Sequence, residues 1–371
     1  MKISIFSAFP PFRGGISQFS TKLSESLEKK HELSLITFKK QYPDILFPGK
    51  TQYDFLQNNN LKSKINRLVS TFSILSYFKT ISFIEKEKPS VFLTNYWMTI
   101  FAPFMGFVAR KLPKEILKIV IIHNLTPHEK RFFDKACNSY LLKSYDGFVA
   151  LSDYVYNDLK KYVDEKKIIH IPHPTYNQYG KKVNREKACE KLSIDASKHT
   201  FLFFGIIRKY KGLDLLIQAF DRLDDSFQLI IAGEVYGKDD EIVRLINNNK
   251  NKDRILFHNQ FIPDDEISSY FSASNYLVLP YRSGTQSGVL AIANHFNLPI
   301  IATDIGGLAE VLNFNTDLII EFPQITAIEQ TLILSKEKST GFSKNEFVAS
   351  KSTTWDSFSS KLEEFALSLK K

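Results

Sequence analysis

Short runs of β-branched and aromatic residues alternate along the chain with longer stretches whose apolar positions recur at helical spacing. This is the pattern of βα units around a parallel sheet. One set of strands is predicted at Lys2–Ser7, Glu32–Thr37, Val91–Asn95, Lys118–His123, Gly147–Ser152 and Lys167–Ile171. A second set follows at Thr200–Phe204, Phe227–Ala232, Ile255–His258, Tyr276–Leu279, Pro299–Thr303 and Asp317–Ile320. Two such sets predict an α/β protein with two Rossmann-like sheets. Between them lies Pro172–Asn184, rich in Pro, Tyr, Asn, Gly and Lys, where few core contacts are expected. The expected division is therefore a domain at residues 1–171, a linker at 172–184, a second domain at 185–345 and a terminal segment at 346–371. In that last segment Trp355, Phe358, Leu362, Phe365, Ala366 and Leu369 fall at helical spacing, which predicts a helix with one buried face.

A chain of 371 residues, 43% hydrophobic and 13% aromatic, can bury two cores, and this excludes a disordered or fibrous protein. No window approaches 18 consecutive apolar residues, so no bilayer-spanning helix is expected. The Met1–Ser7 run is too short for a secretory leader and is soon broken by Pro10 and Pro11. Cys137 and Cys189 have no metal-site or disulfide spacing, so a reducing, cytoplasmic setting is the default.

Charge changes this picture. The net charge of +9 is unevenly spread: residues 1–175 hold 26 basic and 15 acidic side chains, and residues 176–371 hold 23 and 25. Either the first half meets something anionic or its lysines are simply solvated. Leu61–Ile84 reads as an amphipathic helix, with Leu61, Ile65, Leu68, Val69, Phe72, Leu75 and Phe78 on one side and Lys62, Asn66, Arg67, Ser70 and Ser73 on the other. Two roles stand for it: a core helix with a solvated face, or a helix lying on anionic lipid beside Lys79, Arg110-Lys111 and Lys130-Arg131. Nucleic acid is disfavoured, because no binding motif accompanies the charge.

Ligands of open parallel sheets bind at the carboxyl ends of strands, so candidate chemistry lies in the loops that follow them. Glycine is scarce, 15 of 371 residues, against a usual share of about 7%. Gly14-Gly15 sits between the first strand and a helix starting near Ile16, where it is either a close-approach site for a phosphate or sugar or a plain tight turn. No G-x-G-x-x-G is present, which argues against a dinucleotide dehydrogenase. In Phe204-Gly205-Ile206-Ile207-Arg208-Lys209-Tyr210-Lys211-Gly212, Arg208 and Lys211 stand three apart at a strand mouth, as anion ligands or as solvated cations. In Ser283-Gly284-Thr285-Gln286-Ser287-Gly288-Val289, hydroxyl, amide and backbone donors meet a helix start, where they hold a phosphate or cap the helix through Thr285 or Ser287. Gly306-Gly307 marks a further strand-to-helix loop, expected beside the preceding one if strand order follows sequence.

Taken together, Gly205 through Lys211-Gly212-Leu213-Asp214, then Ile231-Ala232-Gly233-Glu234, then Leu298-Pro299 through Ala309-Glu310 resemble the donor domain of the retaining GT-B glycosyltransferases of family four, across Leu202–Leu312. The first half resembles the family's acceptor domain less specifically, through Gly14-Gly15, His123-Asn124, Ala150-Leu151-Ser152 and Ile171-Pro172-His173. Trp355-Asp356 resembles the start of its helix that crosses back onto the first domain.

The resemblance implies a GT-B fold with two domains facing across a cleft. It implies transfer of a hexosyl-type sugar from a nucleotide diphosphate sugar to a glycan or lipid-linked acceptor, with retention, in cell-surface polysaccharide or lipopolysaccharide synthesis. Arg208 and Lys211 would neutralise the leaving diphosphate, and His123 would orient the donor sugar unless it is a satisfied structural histidine. Gly14, Gly15, Gly205, Thr285, Gln286, Ser287, Gly288 and Val289 would line the donor. No cofactor is implied beyond the nucleotide sugar as substrate, and no metal: Asp-X-Asp is absent, and the Asp-Asp pairs at 224–225, 239–240 and 264–265 fall in turn or helix-start contexts. The sequence departs from the family where two glutamates, eight positions apart, flank the loop that corresponds to Ser283–Val289: counting back from Pro299, Gly284 and Ile292 stand in their places. Two other readings keep the fold, a non-catalytic protein that binds a glycan or stabilises a partner, and a nucleotide-sugar epimerase. The expected location is cytoplasmic, at the inner face of the membrane if the lipid reading of the basic half holds.

Overall fold

The computed structural model describes the chain except for residues 42–50, 54–59, 126–130, 177, 238–239, 285–286, 314, 340–352 and 371. It divides into two compact units, one of Met1–Pro174 with Thr353–Lys371 and one of Thr175–Ser352.

The first unit holds β1 (Lys2–Phe6), β2 (Glu32–Lys40), β3 (Ile65–Ser70), β4 (Val91–Tyr96), β5 (Leu117–Ile122), β6 (Gly147–Ala150) and β7 (Ile168–His170). Its helices are α1 (Gly15–Leu27), α2 (Ile74–Glu87), α3 (Ala102–Lys111), α4 (Asp134–Leu142) and α5 (Asp153–Leu159). The second unit holds α6 (Arg185–Leu192), β8 (His199–Phe204), α7 (Leu213–Phe220), β9 (Phe227–Ala232), α8 (Asp240–Asn247), β10 (Ile255–His258), α9 (Ile267–Ala273), β11 (Tyr276–Leu279), α10 (Gly288–His295), β12 (Ile300–Thr303), β13 (Leu318–Ile320) and α11 (Ile325–Ser339). The last helix, α12 (Trp355–Ser368), belongs to the first unit.

Both sheets are parallel, in the orders β3-β2-β1-β4-β5-β6-β7 and β10-β9-β8-β11-β12-β13. Helices on both faces explain why β4, β5, β8 and β9 are buried at every position and lack the apolar–polar alternation of a half-solvated sheet. In each sheet the winding reverses at one place, between β1 and β4 and between β8 and β11. Connections from the two neighbouring strands leave toward opposite faces there, which opens a crevice for a ligand at their carboxyl ends.

Two features differ from expectation. Leu61–Ile84 is not one helix: it forms β3, a turn and then α2. Ile65, Leu68 and Val69 satisfy a helical period, but the open edge of β2 offers backbone partners, and β3 pairs with it from Leu35↔Ile65 to Lys40↔Ser70 with register shifts. Phe72, Leu75 and Phe78 consequently face solvent. The stretch at 172–184, expected to make few core contacts, carries Tyr176 and Tyr179, both 2% exposed, with ring centroids 5.7 Å apart. Val183 N donates to Ser272 Oγ at 3.0 Å, fixing this segment on the second unit, and the break between units falls after Pro174. The terminal helix does fall where its spacing predicts, from Trp355, capped by Thr354 Oγ1, and residues 340–352 lie outside the described residues. Its Trp355 and Phe358 rings meet Phe19 of α1 at 5.2 and 5.7 Å, and Asp356 bonds Ser26 and Lys29. Gly147 makes room for it, since a Cβ there would lie 2.3 Å from Leu369 Cδ1.

Candidate functional site

In the second unit the loops after β8 and β11 come together at the winding reversal. Gly205 leaves β8 at φ +94°, and its N–H still bonds Ala232 O at 2.9 Å. A Cβ on Gly233 would meet Gly205 O at 1.9 Å, so glycine is required for β8 and β9 to end this close together. Ile207 bridges to Val235, which extends the ladder and delivers Arg208 in an extended conformation ahead of a single turn at Lys209–Lys211. Gly212 ends that turn at φ +67°, where a Cβ would lie 2.0 Å from Pro280 O. The chain is thereby forced to aim Lys211 inward.

Lys211 is 8% exposed. Its Nζ lies 5.4 Å from the centroid of the buried Tyr281 ring and 3.7 Å from where a Cβ on Gly205 would stand. Burial pulls its pKa down from the ordinary lysine value, and the nearby Arg208 guanidinium adds to the effect. Arg208 is half-buried over the Tyr236 ring, 5.5 Å from its centroid. Among the described residues neither cation forms an ion pair. The acid of the loop, Asp214, is engaged elsewhere: Arg282 grips both its oxygens at 2.6 and 2.7 Å. Arg282 also bonds Lys209 O at 2.8 Å through its guanidinium and Tyr210 O at 2.7 Å through its backbone N–H, stapling the β11 loop to the β8 loop.

Helix α10 starts at the same place. Val289 Cγ2 would touch a Cβ on Gly205 at 3.4 Å, and Ser287 Oγ meets Tyr281 Oη at 3.2 Å without capping the helix. The first turn of α10 thus keeps backbone donors that no side chain of its N-cap satisfies. Thr285 and Gln286 lie outside the described residues. The loop with Gly306 and Gly307 does pack beside this one, since Leu308 Cδ1 would touch a Cβ on Gly284 at 3.6 Å and Thr303 Oγ1 donates to Tyr281 O at 2.7 Å. Gly205, Lys211, Ser287 and Val289 are therefore gathered around Tyr281, with Arg208 and Gly288 in the same two loops. Buried Ile292 and Gly284 leave no carboxylate at the two positions where the resemblance leads one to expect them.

The first unit has its own loops at a winding reversal. Gly14 takes φ +107° at the start of α1, which restricts that position to glycine. Gly15 is exposed, and a Cβ there would meet nothing within 4 Å, so no internal crowding demands a glycine. His123 follows β5, buried against Phe19 with ring centroids 4.7 Å apart. Its Nε2 meets Asn95 Oδ1 at 2.8 Å, Asn95 Nδ2 meets Ser20 Oγ at 3.3 Å, and Ser20 Oγ meets both Ser7 Oγ at 2.6 Å and Ile16 O at 2.7 Å. Counting protons assigns the tautomer: Ser20 spends its one proton on Ile16 O, so Asn95 must donate to Ser20 and His123 Nε2 must donate to Asn95. Nδ1 is left as the acceptor. Burial, helped by His173, pushes the imidazole pKa down to about 3, so the ring is neutral at ordinary pH. Next to it, Asn124 Oδ1 is buried with no hydrogen-bond partner among the described residues.

Sequence reasoning did not single out Tyr281, Arg282, Asp214, Asn95 or Ser20. Tyr281 and Arg282 stand inside a loop marked for its hydroxyls, but their roles depend on a partner loop 68 residues away. Among the described residues no group of three or more His, Cys, Asp or Glu side chains could hold a metal ion.

Residues 184–346, the span that contains the Lys211 site, match the family model described as glycosyl transferases group 1. The chain is 26% identical to an uncharacterized glycosyltransferase of Methanocaldococcus jannaschii over 84% of this chain and 81% of that protein. It is 22% identical to an uncharacterized 41.2 kDa protein in the cps region of Klebsiella pneumoniae, over 86% of each. In fold it is similar to an Anabaena protein solved in complex with UDP and glucose, with a TM-score of 0.77, 14% identity and 98% of both chains covered. The two parallel-sheet units and the returning terminal helix are the GT-B fold, and the matched domain supports a GT-B glycosyltransferase.

Proposed function

We propose that the protein transfers a hexosyl-type sugar from a nucleotide diphosphate sugar, bound by the second unit, to a glycan or lipid-linked acceptor held by the first. The observation that carries this reading is Lys211: a buried cation without an ion-pair partner among the described residues, beside Arg208 and the uncapped start of α10. Burying an unpaired ammonium is costly, and the cost is offset when a diphosphate arrives. The two cations and the α10 backbone donors would then stabilise the charge that develops on the diphosphate as the bond from the sugar C1 breaks. The acceptor hydroxyl oxygen forms the new bond to C1 from the same face, and its proton passes to an oxygen of the departing phosphate, giving retention with no enzyme nucleophile and no metal. His123, neutral and with Nδ1 free to accept, is suited to receive a hydrogen bond from a sugar hydroxyl rather than to act as a base. The Klebsiella relative of the cps region supports a role in surface polysaccharide or lipopolysaccharide synthesis. A membrane-borne acceptor would set the protein at the inner face of the cytoplasmic membrane, in peripheral contact with anionic lipid.

A panel of nucleotide sugars, with and without glycan and lipid-linked acceptors, tests the proposal by release of free nucleoside diphosphate; no release with any donor would overturn it. Gly284 and Ile292, in place of two carboxylates, favour a second reading as a non-catalytic glycan-binding or partner-stabilising protein. That reading predicts glycan binding without nucleotide release. An epimerase would instead convert a nucleotide sugar to its epimer with no acceptor present.

A further inference from the structure

Helix α2 is built against the usual rule for a surface helix. Its first two turns bury Ser76 and Thr80, whose hydroxyls bond Ser70 O, Ser73 O and Ser76 O, while Ile74, Leu75 and Phe78 point outward. With Phe72 of the preceding turn these side chains are 63% (Phe72), 59% (Ile74), 71% (Leu75) and 51% (Phe78) exposed. Half-buried Phe107 of α3 continues the patch, meeting Phe78 edge to face at 5.6 Å between ring centroids, and exposed Pro103 precedes Phe107 by one turn. A contiguous patch of this kind marks a binding surface, whereas single exposed apolar residues do not.

The surroundings of the patch are cationic. Lys79 follows Phe78 directly, and Arg110 and Lys111 stand one turn beyond Phe107 on α3, with Lys114 just after. All four are exposed, and none forms an ion pair among the described residues, although Arg110 is drawn toward α4, where its Nε donates to Ser144 Oγ at 2.8 Å and its guanidinium lies 4.3 Å from the Tyr140 ring centroid. The nearest acid on α2, Glu85, lies two turns along from Phe78. The unit as a whole carries 29 basic and 18 acidic side chains. Aromatic and aliphatic side chains ringed by unpaired lysines complement an anionic bilayer, where the apolar groups enter the acyl boundary and the cations meet the headgroups.

We propose that Phe72, Ile74, Leu75 and Phe78, flanked by Lys79, Lys111 and Lys114, form the surface through which the protein docks on anionic lipid. The proposal rests on the membrane-borne acceptor read above and assigns its contact to one helix.

The test is sedimentation of the full chain with phosphatidylcholine vesicles, with and without phosphatidylglycerol, at low and high salt. The parent protein is expected to bind the anionic vesicles and to be released by salt. The variant Phe72→Ser/Leu75→Ser/Phe78→Ser should lose at least about tenfold in partitioning. Lys79→Gln and Lys111→Gln should each lose about fivefold. Because these side chains are exposed, thermal unfolding should be unchanged; if the triple-serine variant fails to fold, the two lysine variants decide the matter alone. Absent binding by the parent protein, or unaltered binding by the variants, overturns the proposal. So does a variant that keeps vesicle binding but changes oligomeric state, which would make the patch an interface between copies. Nucleoside diphosphate release with a soluble acceptor is measured in parallel. Its absence beside intact vesicle binding breaks the sugar-transfer reading alone, and its retention beside lost vesicle binding is the expected result.

Discussion

The two units share one architecture, and one buried nitrogen base in each, His123 in the first and Lys211 in the second, is held in the opposite way. In the first, His123 is sealed in with a hydrogen-bond chain through Asn95, Ser20 and Ser7, and it is uncharged. In the second, Lys211 is sealed in with an aromatic ring beneath it and no ion-pair partner among the described residues. Burial lowers both pKa values, but the imidazole is neutral at ordinary pH and keeps its hydrogen bond, whereas the ammonium form of Lys211 has no carboxylate beside it among the described residues. The lysine keeps an unmet demand for negative charge, and a site differs from a scaffold in that demand. The surfaces are opposed as well. The unit that buries the lysine is nearly balanced, with 20 basic and 22 acidic side chains, whereas the unit that buries the histidine carries a surplus of +11.

The sharpest way to break this contrast is to remove the cations. Arg208→Ala should lower turnover by roughly 10²–10³-fold, the scale of losing one preorganised group opposite a developing charge. Lys211→Met should lose as much activity yet raise the stability of the ligand-free protein by about 1 kcal/mol or more, because it deletes an unpaired buried charge. Burial holds the Lys211 pKa below its ordinary 10.5, so the unfolded chain takes up the extra proton between the two values. Stability should climb with pH through that window up to 10.5 and fall as pH drops through it, and Lys211→Met should flatten this slope in thermal melts. A less stable or fully active Lys211→Met protein would remove the lysine from the site.

Next in size is the staple. Arg282→Ala frees the β11 loop from Asp214, Lys209 and Tyr210, and a misplacement of about 1 Å can cost up to about 10²-fold. The expected loss is at least about tenfold in kcat, with Arg282→Lys restoring little because the bidentate grip is lost. An Arg282→Ala enzyme with parental kcat would make the clamp structural only.

The histidine side predicts a smaller, pH-dependent effect. The folded pKa of His123 is depressed to about 3 from an ordinary 6.5, so the stability of keeping it neutral is complete above 6.5 and drains as pH falls toward 3. His173, depressed to about 4 by burial, adds to the same acid sensitivity. The melting temperature of His123→Gln should therefore decline less steeply between pH 6.5 and 4 than that of the parent, and the parent pH–activity profile should show no inflection from His123 between pH 5 and 8. An activity inflection in that range that disappears in His123→Gln would show the ring titrating in use.

The smallest effect belongs to Gly15→Ala. With open space for a Cβ in the first turn of α1, the change should stabilise the fold by roughly 0.5 kcal/mol. A rise in KM for the donor, read beside the melt, would show that a ligand needs the bare backbone there, and an unchanged KM would leave Gly15 as a simple turn residue.

Much of this was legible without coordinates. Among the described strands only β3 escapes the sequence reading, because Ile65, Leu68 and Val69 fit a helix period as well as a strand, and the open edge of β2 that decides between them is invisible in sequence. Arg208, Lys211 and the Ser287–Val289 turn stand out as candidates in the sequence because loops after parallel strands are where ligands bind and their residue types suit an anion. Arg282 went unnoticed because its partner lies in another loop. Phe72, Leu75 and Phe78 were expected on the same side as Ile65 and Val69, and only the break between β3 and α2 turned them outward.

The sequence by itself determined the alternation of strands and helices, the two-unit plan, and the imbalance of charge between the halves, because each follows from local periodicity and composition. The tertiary structure decided which loops meet. Strand order is a long-range property, and placing β8 beside β11 set the Lys211 loop beside the Ser287–Val289 turn. It also decided the state of the charges, for a lysine in a sequence is solvated until packing removes the water, and a histidine can be either acid or neutral until its neighbours fix the proton.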